Sequence, residues 1–76
     1  MNEEIMAMLR ELRPEFDFEN SEDYIMDGLL DSFDIISLCG MLEEKYGIKI
    51  DGLDIVPENF SSVQTLKALV EKNGKL

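Results

Sequence analysis

Apolar residues recur every three or four positions in three separate segments of this chain, at 3–13, 32–46 and 62–72. This spacing places the apolar side chains of each segment on one face of an α-helix. No pair of segments shows the alternating pattern of half-buried strands. The sequence therefore predicts an all-α fold. The predicted core faces consist of Ile5, Met8, Leu9 and Leu12, then Ile35, Leu38, Cys39, Leu42 and Tyr46, and finally Val63, Leu66, Leu69 and Val70.

Local signals indicate where these helices end. Pro14 should stop the first helix, because the residue before a proline avoids the helical conformation. Gly47 is a natural C-terminal cap for the second helix. The run Ser61-x-x-Gln64 has the form of a capping box at the start of the third helix.

Residues 14–31 form a long connection with many large apolar groups among acidic ones. Such a loop should fold back onto the core, with a helical turn near 22–26 and a positive-φ turn at Gly28. A single helical turn is predicted at 57–60. Because a chain of this length makes one domain, we predict a single domain over residues 1–76. Its fold would be a four-helix bundle, with three main helices, one short helix and a long first loop.

The chain is strongly acidic, with 17 acidic residues, 7 basic residues and a net charge of −10. Such a surface repels nucleic acid and anionic lipid headgroups and favours basic protein partners. The sequence shows neither a signal peptide nor an apolar run near the ~20 residues that span a bilayer. We therefore expect a cytoplasmic monomer with protein partners, without nucleic-acid binding or a membrane span.

The sequence lacks the residue types that carry most enzyme chemistry. It has no histidine, the commonest general base and nitrogen ligand of metals. Cys39 is the only cysteine, so no internal disulfide can form. There is no glycine-rich phosphate loop and no Cys/His metal spacing. These features favour a binding or carrier protein over an enzyme, with no metal site.

The acidic loops raise the alternative of a calcium-binding helix–loop–helix protein. An EF-hand loop needs oxygen ligands at alternating positions, glycine at the sixth and glutamate at the twelfth. No window starting at Asn20, Asp23, Asp27 or Asp51 satisfies that pattern.

A serine stands at the predicted start of the second helix, in the run Gly28-Leu29-Leu30-Asp31-Ser32-Phe33-Asp34. The free N–H groups and positive dipole end of a helix favour a phosphate there. Ser32 could therefore carry a phosphodiester-linked group. Serine and aspartate are also favoured N-caps, so Asp31 or Ser32 could serve only to cap the helix.

The second helix has an apolar stripe left over after its core face is assigned. An exposed apolar stripe edged by acids is typical of a protein-binding surface. In the alternative interpretation, Phe33 and Ile36 pack beneath the long loop. The stripe and its polar neighbours are Phe33, Ile36, Gly40, Ser37, Glu43 and Glu44.

Across nearly its whole length the chain resembles the acyl carrier protein family. The matching segments are residues 28–34 (GLLDSFD), 42–50 (LEEKYGIKI) and 60–66 (FSSVQTL), in the family's order and spacing. The resemblance implies a four-helix bundle with a long first loop. It also implies that Ser32, next to Asp31 in the cofactor site, receives 4′-phosphopantetheine from coenzyme A through a phosphopantetheinyl transferase. The arm's thiol would carry the cargo as a thioester.

The resemblance also implies a set of partners. These are the transferase, an acyl- or aminoacyl-loading ligase, and a downstream synthase or transferase with a basic docking surface. Ser32 would be an attachment point rather than an activated nucleophile, because no histidine or lysine base lies near it in the sequence. The residues that partner enzymes would read are Phe33, Asp34, Ile36, Ser37, Gly40, Glu43 and Glu44.

Three residues depart from the usual fatty-acid pattern: Phe33 replaces leucine, Ser37 an acid and Gly40 a bulkier residue. The run from Gly28 to Phe33 also resembles free-standing carriers for D-alanine or for specialised acyl and aminoacyl pathways. The cargo stays open among fatty acyl, polyketide, D-alanyl and nonribosomal aminoacyl groups. The alternative function is a non-catalytic interaction module that uses the exposed stripe without a prosthetic group.

Overall fold

Three α-helices and two short 3₁₀ helices make up the computed structural model, which describes residues 2–74. The order is α1 (Asn2–Leu12), α2 (Ser32–Tyr46), η1 (Gly52–Asp54), η2 (Pro57–Phe60) and α3 (Val63–Asn73). No strand occurs within this range, which confirms the predicted all-α class. The predicted domain also includes residues 1, 75 and 76, which lie outside the described range.

The core joins all three α-helices to the segments between them. α1 packs against both α2 and α3, and α3 also packs against η2. Each helix contributes the apolar face that its spacing predicts. The largest fully buried side chains are Tyr24, Phe60, Ile5, Leu9, Leu38, Leu42 and Leu66.

The start of α3 differs by one residue from its prediction. The capping box is formed by Ser62 and Thr65, not by Ser61 and Gln64. The Thr65 N–H donates to Ser62 Oγ at 3.2 Å, and the Ser62 N–H donates to Thr65 Oγ1 at 3.1 Å. The Ser61 hydroxyl instead donates to the Glu58 carbonyl at 3.1 Å. Ser61 therefore closes η2, the short helix predicted at 57–60, which is present as a 3₁₀ helix.

The long connection folds back onto the core, as its apolar content predicts. Phe18, Tyr24 and Leu30 are buried, and the rings of Phe18 and Tyr24 meet edge to face with centroids 5.1 Å apart. The Tyr24 N–H donates to the Ser61 carbonyl at 2.8 Å. The Tyr24 carbonyl in turn accepts from the Leu29 N–H at 2.8 Å. The middle of the connection is therefore fixed to the segment that precedes α3.

The helical turn predicted near 22–26 is present as a hydrogen-bonded turn at 24–28. The Asp23 carboxylate accepts from the N–H groups of Ile25 and Met26, both at 3.0 Å. The Met26 side chain points outward and is 82% exposed. Met26 is thus an exception to the prediction that the apolar residues of this connection fold inward.

The end of α2 matches its prediction. Gly47 adopts the left-handed conformation with φ 64°, and its N–H donates to the Glu43 carbonyl. The Ile48 N–H donates to the same carbonyl at 3.2 Å.

No helix of the described chain has the length and apolar character needed to cross a membrane.

One glycine inside α2 and the glycine that caps it give a matched pair of stability predictions. Gly47→Ala should lower the free energy of unfolding by about 1 kcal/mol, because an L-residue is strained at positive φ. Gly40→Ala should raise it by roughly 0.5–1 kcal/mol, because Gly40 is helical and an added Cβ meets open space. Urea unfolding followed by circular dichroism measures both. Equal stability of the two variants would contradict the left-handed cap.

Candidate functional site

Ser32 is the first residue of α2, and its side chain is exposed. The chain reaches it through a turn at Gly28, whose φ of 73° confirms the predicted positive value. Leu30 is buried and fixes the approach to the helix, while Asp31 takes an extended conformation with ψ −175°. The hydroxyl of Ser32 therefore lies at the solvent-facing start of a 15-residue helix.

Asp31, not Ser32, is the N-cap of α2. The Asp34 N–H donates to Asp31 Oδ1 at 2.9 Å, and the Asp31 N–H donates to Asp34 Oδ2 at 3.1 Å. These reciprocal bonds make a capping box. The sequence left Asp31 and Ser32 as alternative caps, and the geometry assigns the role to Asp31. The presence of Ser32 is thus not explained by capping.

Asp34 is buried, with 4% exposure, and does not lie on the surface that the family resemblance assigned to it. Its Oδ2 accepts from the Nε–H of Arg13 at 3.0 Å, and Nη2 of Arg13 lies 3.0 Å from the same oxygen as an ion pair. Arg13 Nη2 also lies 3.6 Å from Asp31 Oδ2. Asp34 faces the end of α1 because a buried carboxylate requires a cation and hydrogen-bond donors, and Arg13 supplies both.

These contacts shift the pKa values of the groups around Ser32. The hydrogen bond from the Asp34 N–H, together with the nearby Arg13 guanidinium, lowers the pKa of the Asp31 carboxyl. The hydrogen bond and charge of Asp34 raise the pKa of Arg13. At neutral pH Asp31 is therefore a carboxylate, and the Arg13 guanidinium contacts both Asp31 and Asp34.

The leftover stripe of α2 is exposed. Phe33 is 74% exposed and Ile36 is 67% exposed, so the alternative in which both pack beneath the loop is wrong. Gly40 and Glu44 are also exposed. We call the surface formed by Phe33, Ile36, Gly40 and Glu44 the partner face. It begins directly beside Ser32.

Ser37 and Glu43, the remaining two predicted partner residues, are half-buried. Ser37 lies at the edge of the partner face. Glu43 Oε2 accepts from the Ile50 N–H at 2.9 Å, so this carboxylate also anchors the segment that follows α2. Glu43 therefore has a structural contact that its helical position alone does not indicate.

Sequence reasoning missed two features. The first is the contact of Arg13 with Asp34, which sequence patterns do not indicate because a contact across 21 residues depends on how α1 packs against α2. Leu53, in η1, is 86% exposed and joins Met26 as a large exposed apolar residue outside the helices. The sequence does contain a signal for this position, because Asp51-Gly52 marks a turn directly before Leu53.

The described residues contain no cluster of three His, Cys, Asp or Glu side chains that could hold a metal ion.

The lowered pKa of Asp31 predicts a loss of stability in acid. A carboxyl whose pKa is lower in the folded than in the unfolded state stabilises the fold above its unfolded pKa, near 3.8, and that contribution is lost as pH falls through the folded value. Asp31→Asn keeps a good N-cap but removes the charge. Melting temperatures measured from about pH 6 to about pH 2 should therefore fall less steeply for Asp31→Asn than for the wild type. Parallel curves would contradict this contribution.

Comparisons of the chain with protein-family models, with curated proteins and with solved structures find no match.

Proposed function

We propose that this chain is a carrier protein that holds acyl or aminoacyl intermediates as thioesters on a 4′-phosphopantetheine arm attached to Ser32. The observation that carries the proposal is the division of roles at the start of α2. Asp31 caps the helix, and Ser32 exposes a hydroxyl one residue later. The resemblance of residues 28–34, 42–50 and 60–66 to acyl carrier proteins supports the same assignment.

The residues around Ser32 fit a phosphodiester. The N-terminus of a helix carries partial positive charge and unpaired N–H groups, which favour an anion. The negative charge of Asp31 opposes this and is offset only in part, because Arg13 Nη2 lies 3.6 Å from that carboxylate but 3.0 Å from Asp34 Oδ2. The exposed position of Ser32 gives a modifying enzyme access to the hydroxyl.

Ser32 acts as an acceptor in the loading reaction. Its Oγ forms a bond to the phosphorus that bears the pantetheine in coenzyme A, and the pyrophosphate P–O bond breaks. Adenosine 3′,5′-bisphosphate leaves, and the hydroxyl proton passes to a base of the transferase. Once attached, the arm supplies a thiol for thioester formation. The chain is therefore a substrate and carrier for separate enzymes rather than an enzyme itself.

The partner face gives those enzymes a surface to read. Phe33 and Ile36 form its apolar centre, and the exposed Glu44 lies at its edge. A loading ligase or downstream synthase with a basic surface complements this face and the net charge of −10. Asp34 is not part of this proposal because it is buried.

The proposal includes the four-helix bundle of the family, in which η2 would be the short fourth helix. A cytoplasmic location and a monomeric state belong to the same proposal. The cargo stays open among fatty acyl, polyketide, D-alanyl and other aminoacyl groups. The exposure of Phe33 and Ile36 also favours a second candidate, an interaction module without a prosthetic group.

Intact mass after incubation with coenzyme A, magnesium and a broad-specificity phosphopantetheinyl transferase tests the carrier proposal. The wild type should gain one phosphopantetheine and Ser32→Ala should gain none, because the variant lacks the acceptor oxygen. Ser21→Ala, at a serine of the long connection outside α2, is the matched control and should still be modified.

Circular dichroism shows whether each variant remains helical. A folded wild type that stays unmodified would overturn the carrier proposal and favour the interaction module. Modification of Ser32→Ala would show that the attachment site is wrong.

A further inference from the structure

A second surface lies between α1 and α2, away from Ser32. Two shallow depressions, of about 310 Å³ and about 390 Å³, share Met8, Glu11 and Lys45 as lining residues. One extends to Ala7 and the other to Met41. Because the two depressions adjoin at these three residues, we treat them as one groove. We call it the α1–α2 groove.

The groove has a geometry into which a third helix can pack. The two helices run in opposite directions, because Arg13 beyond the end of α1 contacts Asp34, whereas Glu4 near its start contacts Lys45. The lining residues recur at spacings of three and four along each helix, so each forms a ridge beside the groove. Helices pack by laying the ridge of one into such a groove.

The floor of the groove is apolar and adaptable. Met8 is buried, Met41 is half-buried, and both line the groove. Methionine fits different apolar partners because its side chain is unbranched and flexible. Ala7 is exposed, and its small side chain leaves the groove open above the floor.

The rim carries surplus negative charge. Glu4, Glu11 and Glu44 line it, against the single cation Lys45. Glu4 is held in place by the Tyr46 hydroxyl, which donates to its Oε1 at 2.8 Å, and by Lys45 Nζ at 3.9 Å from its Oε2. Charge complementarity therefore calls for a positively charged occupant. A second copy of this chain, with a net charge of −10, would be repelled.

We propose that the α1–α2 groove docks a basic amphipathic helix of a partner protein. Its apolar side chains lie over Met8 and Met41, and its lysine or arginine side chains pair with Glu11 and Glu44. Such recognition of an amphipathic helix by an apolar groove is a recurring mode of peptide binding.

This surface shares Glu44 with the partner face but no other residue, and the proposal does not depend on modification of Ser32. Successive residues of a helix are turned by about 100°, so Met41 points well away from its neighbour Gly40 on the partner face. Glu44 lies between the two surfaces and lines the groove as well.

Binding of a synthetic peptide to the unmodified full chain tests the proposal. The probe is a fluorescein-labelled helix of about 15 residues, with leucine on one face and lysine on the other. A peptide of the same composition with scrambled leucines controls for charge alone. Fluorescence anisotropy is measured at about 0.15 M salt, where long-range attraction is screened.

Ala7→Lys is the decisive variant, because it places bulk and positive charge inside the groove. Its matched control is Ala68→Lys, an exposed alanine of α3 that changes the net charge equally. Ala7→Lys should weaken binding of the amphipathic peptide about tenfold, and Ala68→Lys should leave it within about twofold. The scrambled peptide should bind about tenfold more weakly than the amphipathic one.

Four results would overturn the proposal. Equal effects of the two lysine variants, or equal binding of the two peptides, would show attraction by net charge only. A greater loss in Ile36→Ala than in Ala7→Lys would place the peptide on the partner face. A dimer of the free chain in sedimentation experiments that Ala7→Lys disperses would identify a second copy as the occupant.

Discussion

The contact of Arg13 with the buried Asp34 joins the end of α1 to the start of α2, and the position of the candidate site depends on it. One carboxylate oxygen of Asp34 accepts from the Arg13 Nε–H and from the Asp31 N–H, and it forms an ion pair with Arg13 Nη2. Loss of the cation would leave a buried charge with weaker compensation, which is costly in a protein interior. The same contact that stabilises the helix pair therefore orients the first turn of α2. This turn sets the position of Ser32 and the partner face relative to the rest of the molecule.

Most of the secondary structure could be predicted from the sequence because it follows from local signals. Helical spacing located all three α-helices, and proline and glycine set the ends of α1 and α2 to within a residue. The error at the start of α3 has a local cause as well. Ser61 and Ser62 are both good caps, and the choice depends on η2, which occupies the Ser61 hydroxyl. Such competition between neighbouring elements is decided by tertiary packing, which periodicity does not describe.

The candidate site was predictable in part for the same reason. The position of Ser32 at the start of α2 follows from local pattern, whereas the burial of Asp34 does not. A carboxylate on a helix is normally solvated, and only a cation brought from α1 makes its burial tolerable. The outward direction of Met26 and Leu53 likewise depends on the turns around them. Contacts distant in sequence thus account for the differences between the predicted and observed site.

Tyr24 anchors the long connection near its middle and so divides it into two shorter loops. Its N–H is bound to the Ser61 carbonyl, and its own carbonyl holds Leu29, only three residues before Ser32. The chain entropy lost in closing a loop depends on the loop's length, and this anchor replaces one long loop with two shorter ones. Added residues between Pro14 and Tyr24 would therefore lengthen only the first loop. The second would keep its length, so a change of length in the first half need not alter the segment that leads to Ser32.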